Sequence, residues 1–244
     1  MYDCIIIGGG AAGLMAAITA ADCGKNVLVA DKNDRVGRKL MITGKGRCNV
    51  TNNCDRDEFM DNIPENSRFL YSAYSQFSSY DCMEFFEGLG VPLKTERGNR
   101  VFPVSDKAED IVSALERAVS ERTITVKKGK VTSVCAEDGH IMGIKMGGNF
   151  IPAERVLIAT GGCSYPKTGS DGDGYRFAKE LGHHIVPIKP SLVPLVSEEK
   201  YCADMMGLSL KNVTLTLHDD KIGKVIFSEL GEMLFTHFGV SGPL

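Results

Sequence analysis

The sequence predicts an α/β fold: a parallel sheet with crossover helices, joined to a β-meander and followed by the start of a second, β-rich region. Three observations carry this. Two short apolar runs, CIII and NVLVA, flank a segment of small and apolar residues, the pattern of a strand–helix–strand crossover whose strands are covered on both faces. Residues 123–152 then alternate apolar and polar between breaks at Lys128–Gly129, Asp138–Gly139 and Gly147–Gly148, as a meander does. Past Pro187 the composition shifts, with Pro187, Pro190 and Pro194 followed by the alternating VTLTLHDDKIGKVIF.

The first strand runs into Gly8, Gly10 and Gly13 in the spacing GxGxxG, and LMAAITAADCG continues as a helix that Gly24 ends. Gly8 permits the tight turn, Gly10 keeps side chains away from an approaching pyrophosphate, and Gly13 lets helix and sheet pack closely. Free N–H groups and the positive end of the helix dipole suit phosphate. Asp31 closes the second strand 18 residues beyond Gly13. A carboxylate there accepts hydrogen bonds from a ribose hydroxyl pair and disfavours a 2′-phosphate. A dinucleotide site is therefore expected. NAD and FAD fit it equally, because both carry the adenosine-diphosphate half.

The following stretch, GRKLMITGKGRCNVTN (residues 37–52), holds Arg38, Lys39, Lys45 and Arg47, three glycines and no acid, with neither helical nor strand periodicity. Residues 57–90 read as helical, and LKTERGNRVFP as a hairpin turning at Gly98–Asn99. Residues 105–122 form an amphipathic helix, with Ala108, Ile111, Val112, Leu115, Ala118 and Val119 on one face and Ser105 or Asp106 as its cap. After the meander, ERVLIATGGCS reads as a further buried strand, and SDGDGYRFAKELGHH as a helix starting at Asp171 or Asp173 and stopping at Gly182. A domain boundary is expected near 187–191, giving domains 1–188 and 189–244. Ser241, Gly242 and Pro243 read as the start of a helix, so an incomplete chain is expected.

The composition narrows the functions. Hydrophobic residues make up 43% of the 244 and the formal net charge is −3, so a real core is available and no general attraction to nucleic acid exists. No apolar run approaches the ~20 residues that span a bilayer, and the N-terminus lacks the basic region of a signal peptide. Eight scattered cysteines, with no CxxC pair, read for the most part as buried thiols in a reducing cytoplasm and not as a metal site. A small-molecule substrate is expected, with neither nucleic acid nor membrane as partner.

Five stretches, IIIGGGAAGLMAA, GRKLMITGKGRCNVTN, GNRVFPVSDKAEDIV, LIATGGCSYPKTGSDGDGYRFAKELGH and LFTHFGVSGP, resemble the BaiN/YhiN-like FAD-dependent oxidoreductases, whose relatives include enzymes described as aminoacetone oxidases. The resemblance implies an FAD-binding Rossmann-like domain with the β-rich domain inserted. It implies that the basic segment wraps the cofactor, with Arg38, Lys39, Gly44, Gly46, Arg47 and Asn49 along the pyrophosphate and flavin. It places Ala11, Ala12 and Lys32 beside the glycines and Asp31, Val131 at the adenine through its backbone, and Ala159, Thr160 and Gly161 beside the cofactor. NAD(P)H would serve as a transient electron donor.

Two chemistries follow from the resemblance: reduction of a C=C bond in an enone-type, steroid-like substrate, favoured here, and oxidation of small amines or aminoketones. A non-catalytic FAD-binding module is a third reading. Cys48 and Cys54 suggest a disulfide-reducing pair, but their spacing is one residue longer than flavin disulfide reductases use. No catalytic residue is assigned. His237 and Tyr165 could donate a proton, although packing roles are commoner for such residues, and Arg100 reads as a loop residue.

Overall fold

The computed structural model describes residues 1–190 and 192–242 and divides into two compact units, Met1–Ile185 and Val186–Leu244. The first unit begins with β1 (Tyr2–Ile7), α1 (Ala11–Asp22) and β2 (Val27–Asp31). A 3-10 segment (Leu40–Gly46) leads to β3 (Thr51–Asn52), α2 (Arg56–Asp61), α3 (Tyr71–Gln76) and α4 (Ser79–Gly88). The hairpin β4 (Leu93–Glu96) and β5 (Arg100–Pro103) precedes α5 (Ala108–Ser120). Then come β6 (Ile124–Lys128), β7 (Val131–Glu137), β8 (His140–Met146), β9 (Asn149–Ile158) and α6 (Asp173–Glu180).

The main sheet has the order β6-β2-β1-β9-β8-β7. Its first four strands run parallel, with Ile5 opposite both Leu28 and Val156, and its last three are an antiparallel meander. Ile5, Ile6, Val27, Leu28 and Val29 are fully buried, because both sheet faces are covered. On one face α1 and α5 pack through Leu14, Ile18, Ile111, Leu115 and Ala118. On the other, the meander and α6 bring Val131, Ile144 and Phe177 against Ile5, Ile7 and Leu28.

Several expectations are corrected. The expected final meander strand and the separate strand ERVLI are one continuous β9: residues 149–152 pair with β8 and residues 153–158 with β1. Pro152 stands where the partner changes, so its missing N–H breaks neither ladder. That strand is also less buried than its apolar residues suggest, with Leu157 42% exposed. The first strand of residues 123–152, β6, is not part of the meander but extends the parallel sheet beside β2. Neither Ser105 nor Asp106 caps α5; Lys107 occupies that position, while Ser105 donates to Asp110 and Asp106 accepts from Lys94 and Arg47. Helix α6 does start at Asp173, one of the two expected positions; Gly172 precedes it at the cap, and both aspartates bind Lys32.

The second unit contains β10 (Leu195–Val196), α7 (Tyr201–Asp204), β11 (Ser209–Asp219), β12 (Lys224–Thr236) and β13 (Gly239–Ser241), with the antiparallel sheet order β10-β13-β12-β11. The expected hairpin is β11–β12. Ser241 ends a strand where a helix start was expected, and Pro243 lies outside the described residues.

Candidate functional site

At the C-terminal ends of β1, β2 and β9 a cavity of about 640 Å³ opens within the first unit, inside the ~300–1,000 Å³ range of small-molecule sites. Its floor is the turn from β1 into α1. Gly8, at φ +109°, lies so close to β9 that a Cβ would meet the Ala159 carbonyl oxygen at 2.5 Å. Gly13 is packed as tightly, a Cβ there falling 1.9 Å from the Gly8 carbonyl oxygen. Gly10 differs: a Cβ would meet no protein atom within 4 Å, because the position faces the cavity.

No side chain caps α1 and no acid stands in its first turn, so the N–H groups of Ala11, Ala12 and Gly13 lack the partners a helix start normally acquires. Ala11 and Ala12 line the cavity. An open helix start facing a cavity with cations on its rim has a donor set that fits a diphosphate.

Asp31 is 9% exposed and lines the same cavity. Its Oδ2 accepts from the Gly9 N–H at 2.5 Å and its Oδ1 from the Asn33 N–H at 2.7 Å, so it fixes the glycine turn at the edge of the cavity. Lys32 donates to Asp171 at 2.5 Å and Asp173 at 2.8 Å, tying β2 to the start of α6. Burial pulls the Lys32 pKa down, but the two aspartate hydrogen bonds outweigh it and hold the ammonium above the usual lysine value. Burial likewise raises Asp173, and hydrogen bonds from Lys32 and Arg176 outweigh it, so the carboxyl lies below its ordinary range.

The basic segment divides. Arg38, Lys39, Leu40 and Thr43 line the cavity, whereas Gly44, Gly46, Arg47 and Asn49 are not among its lining residues. Arg38 donates to the Asn33 side-chain oxygen at 3.3 Å and Lys39 to the Ser164 carbonyl at 2.8 Å, so both keep their charge beside the cavity. Arg47 instead donates to Glu96 and Asp106 at 2.5 and 2.7 Å and lies over the Phe102 ring at 4.0 Å. Those two carboxylates raise its pKa. With its amide oriented to satisfy both neighbours, Asn49 donates to the Val101 and Thr51 carbonyls and secures the segment to β3 and β5.

Val131, Ala159, Thr160 and Gly161 also line the cavity. Sequence reasoning missed Asn33, which donates to the Thr168 carbonyl at 3.1 Å while holding Arg38. Its signal was the Asp31-x-Asn33 spacing, in which an aspartate turn caps the strand end. Among the proton-donor candidates, Tyr165 stands exposed near the cavity mouth, His237 lies in the turn between β12 and β13 against Phe238, and Arg100 donates to the Arg97 carbonyl. All eight cysteines are free thiols, and burial pushes the pKa of Cys48 and Cys54 up.

The chain is 33% identical over 241 residues to the 3-dehydro-bile acid delta(4,6)-reductase of Clostridium scindens, covering 97% of this chain and 57% of that protein. It is 30% identical to the ribosomal RNA dihydrouridine synthase of Escherichia coli, covering 99% of this chain and 59% of that one. It thus spans less than two thirds of the length of these relatives. Among solved structures, the 3-ketosteroid-delta4-(5alpha)-dehydrogenase of Rhodococcus jostii superposes with a TM-score of 0.58 at 17% identity, covering 74% of this chain and 54% of that one. A flavocytochrome c3 fumarate reductase gives 0.54 at 18% identity, covering 86% and 47%. Both share the fold. The family model for the HI0933-like protein Rossmann domain matches residues 2–242. A glycine turn, an open helix start and a cationic rim that fit a flavin dinucleotide are thus found in a chain that belongs, over nearly its whole length, to the HI0933-like family of FAD-dependent Rossmann proteins.

Proposed function

We propose that this chain forms the FAD-binding part of an oxidoreductase that reduces a carbon–carbon double bond conjugated to a carbonyl in a small, steroid-like enone. The observation that carries the FAD assignment is the uncapped start of α1 facing the cavity across from Arg38 and Lys39. When bound, the flavin supplies hydride exchange at its N5 atom. The chain's own residues hold the diphosphate through the N–H groups of Ala11, Ala12 and Gly13 and offset its charge with Arg38 and Lys39. Asp31 keeps the glycine turn in shape and faces the ribose, and the backbone at Val131 borders the adenine.

The relatives support the reaction class. A delta(4,6)-reductase and a dihydrouridine synthase both add two hydrogens across a C=C bond conjugated to a ring carbonyl, since uracil itself contains such a bond. A small substrate is favoured over RNA by the fate of the cations. Among the described residues Lys32, Arg35, Arg47, Lys94, Arg122 and Arg176 pair with carboxylates, and the formal net charge is −3, both of which favour a small substrate over a phosphate backbone. NAD(P)H is the proposed electron donor and docks transiently, because the chain carries one nucleotide fingerprint. Eight free thiols support a cytoplasmic location, and no helix among the described residues is long and apolar enough to cross a membrane.

The test is anaerobic reduction of FAD-saturated protein with NADH or NADPH, followed by a steroid enone. Return of the oxidised flavin spectrum with consumption of the enone is expected. Recovery only in air, with peroxide, would favour an oxidase, and failure to take up FAD would favour a non-catalytic role.

A further inference from the structure

Three polar residues are buried among the described residues: Asp31, Ser79 and Ser170. Two of them have partners that account for their burial. Asp31 accepts from the Gly9 and Asn33 N–H groups, and Ser79 accepts from the Tyr74 hydroxyl at 3.5 Å. Ser170, in the loop between β9 and α6, is 6% exposed, and its hydroxyl has no hydrogen-bond partner among the described residues. A hydroxyl withdrawn from water and left unpaired is uncommon, because nothing in the protein offsets the lost hydration. A ligand that supplies the partner resolves the exception.

The place of the hydroxyl says which ligand group that is. Ser170 and Gly161 both line the cofactor cavity. Gly161 has φ +74°, and a Cβ there would stand 2.6 Å from the Ser170 Oγ, so the hydroxyl lies against the bare face of a glycine. The Lys39 ammonium lies 4.0 Å from the same point, and its own partner is the neutral Ser164 carbonyl. This wall adjoins the glycine turn: a Cβ on Gly8 would meet the Ala159 carbonyl oxygen at 2.5 Å and the Thr160 Cα at 3.1 Å, one residue before Gly161. A free hydroxyl and an ammonium that keeps its charge, close to an uncapped helix start, together suit a phosphate oxygen. A ring edge would leave the ammonium uncompensated.

We infer that Ser170 is a further cofactor ligand, its hydroxyl donating to an oxygen of the diphosphate and sharing that group with Lys39. The diphosphate is then held by two elements distant in sequence, the start of α1 and the loop before α6, and Gly161 is a glycine so that the second can reach it. This rests on the FAD-binding reading above. Because the hydroxyl bonds nothing in the protein itself, its removal is felt in ligand binding and not in the stability of the ligand-free chain.

The test is calorimetric titration of the parent chain, Ser170→Ala and Lys39→Gln with FAD, ADP and adenosine at two salt concentrations, with thermal unfolding of each protein before ligand is added. Ser170→Ala is expected to weaken FAD and ADP alike by about tenfold, the loss of one hydrogen bond to a charged group, and to leave adenosine within about twofold. Its ligand-free Tm should match the parent's. Being neutral, the lost hydroxyl should leave the salt dependence of ADP binding unchanged, whereas Lys39→Gln should reduce it. A parent chain that binds neither FAD nor ADP would overturn the FAD reading and this one with it. A parent that binds both, with Ser170→Ala within twofold of it, would overturn this one alone. So would an equal loss with adenosine, which would put the hydroxyl at the ribose or base, or a loss confined to FAD, which would put it at the flavin half. A lowered ligand-free Tm in Ser170→Ala would show a structural hydroxyl and overturn the inference as well.

Discussion

Replacing Gly10 by alanine separates a structural glycine from a cofactor-facing one. The backbone there, φ −83° and ψ −173°, is open to any residue, and the added methyl would meet no protein atom within 4 Å. The fold should therefore lose no more than ~0.5–1 kcal/mol, the cost of alanine for glycine at a helix cap. Bound diphosphate is another matter, because the methyl fills the space through which a phosphate reaches the N–H groups of α1. Forfeiting one charge-assisted hydrogen bond costs about 1.5–3 kcal/mol, a ten- to hundredfold loss of FAD affinity. Gly13→Ala is the contrasting variant: its methyl would lie 1.9 Å from the Gly8 carbonyl oxygen, and displacing α1 should cost about 3 kcal/mol of stability before any ligand is added. Thermal unfolding of the apo proteins and flavin fluorescence titration give the two quantities. A folded Gly10→Ala protein that binds FAD within twofold of the parent would refute the placement of the diphosphate at this helix.

Other expectations follow from the ion pairs and thiols. Asp173 has a folded pKa below its unfolded value, so its contribution is present above about pH 4 and is lost as pH falls through the lower folded value; Asp173→Asn should flatten the acid limb of a Tm–pH curve. Lys32 is held above its unfolded value, so its contribution is complete below about pH 10 and is lost as pH rises through the folded value, which Lys32→Met should abolish. Arg47→Met should free the basic segment from Glu96 and Asp106, raising the FAD off-rate and exposing residues 40–47 to proteolysis, while Arg47→Lys should restore part of the anchoring without the Phe102 stacking; equal off-rates in all three would refute the anchor. In a native thiol titration the exposed Cys23 and Cys163 should react fast, and the partly buried Cys82, its pKa pushed by burial to about 11, should react much more slowly.

What the sequence could disclose depended on how local its cause was. The β1-α1-β2 unit was legible because glycine spacing, strand run and terminal acid lie within 31 residues and each answers to one steric or electrostatic demand. The α5 face was legible for the same reason: its period is a property of the helix alone. The continuity of β9 was not, because Pro152 is tolerated only through a change of partner from β8 to β1, and partners are not written in the strand that changes them.

The cations make the same point for the site. Within residues 38–47, Arg38, Lys39 and Arg47 are equivalent as letters, and a window that holds no acid predicts that all of them are available to a phosphate. Arg47 is nevertheless neutralised by carboxylates 49 and 59 residues away, as Lys32 is by aspartates 139 and 141 residues away. Arg38 and Lys39 bind neutral oxygens instead, and therefore keep the charge that a diphosphate needs. A basic segment is thus a mixture of anchors and ligands, and the division between them is set by which distant acids the fold brings within reach. The double variant Arg38→Gln, Lys39→Gln should consequently reduce FAD affinity and its salt dependence with little change in apo stability, whereas Arg47→Met should alter release without changing that salt dependence. The reverse pattern would mean that the charges seen by the cofactor are those of the anchor.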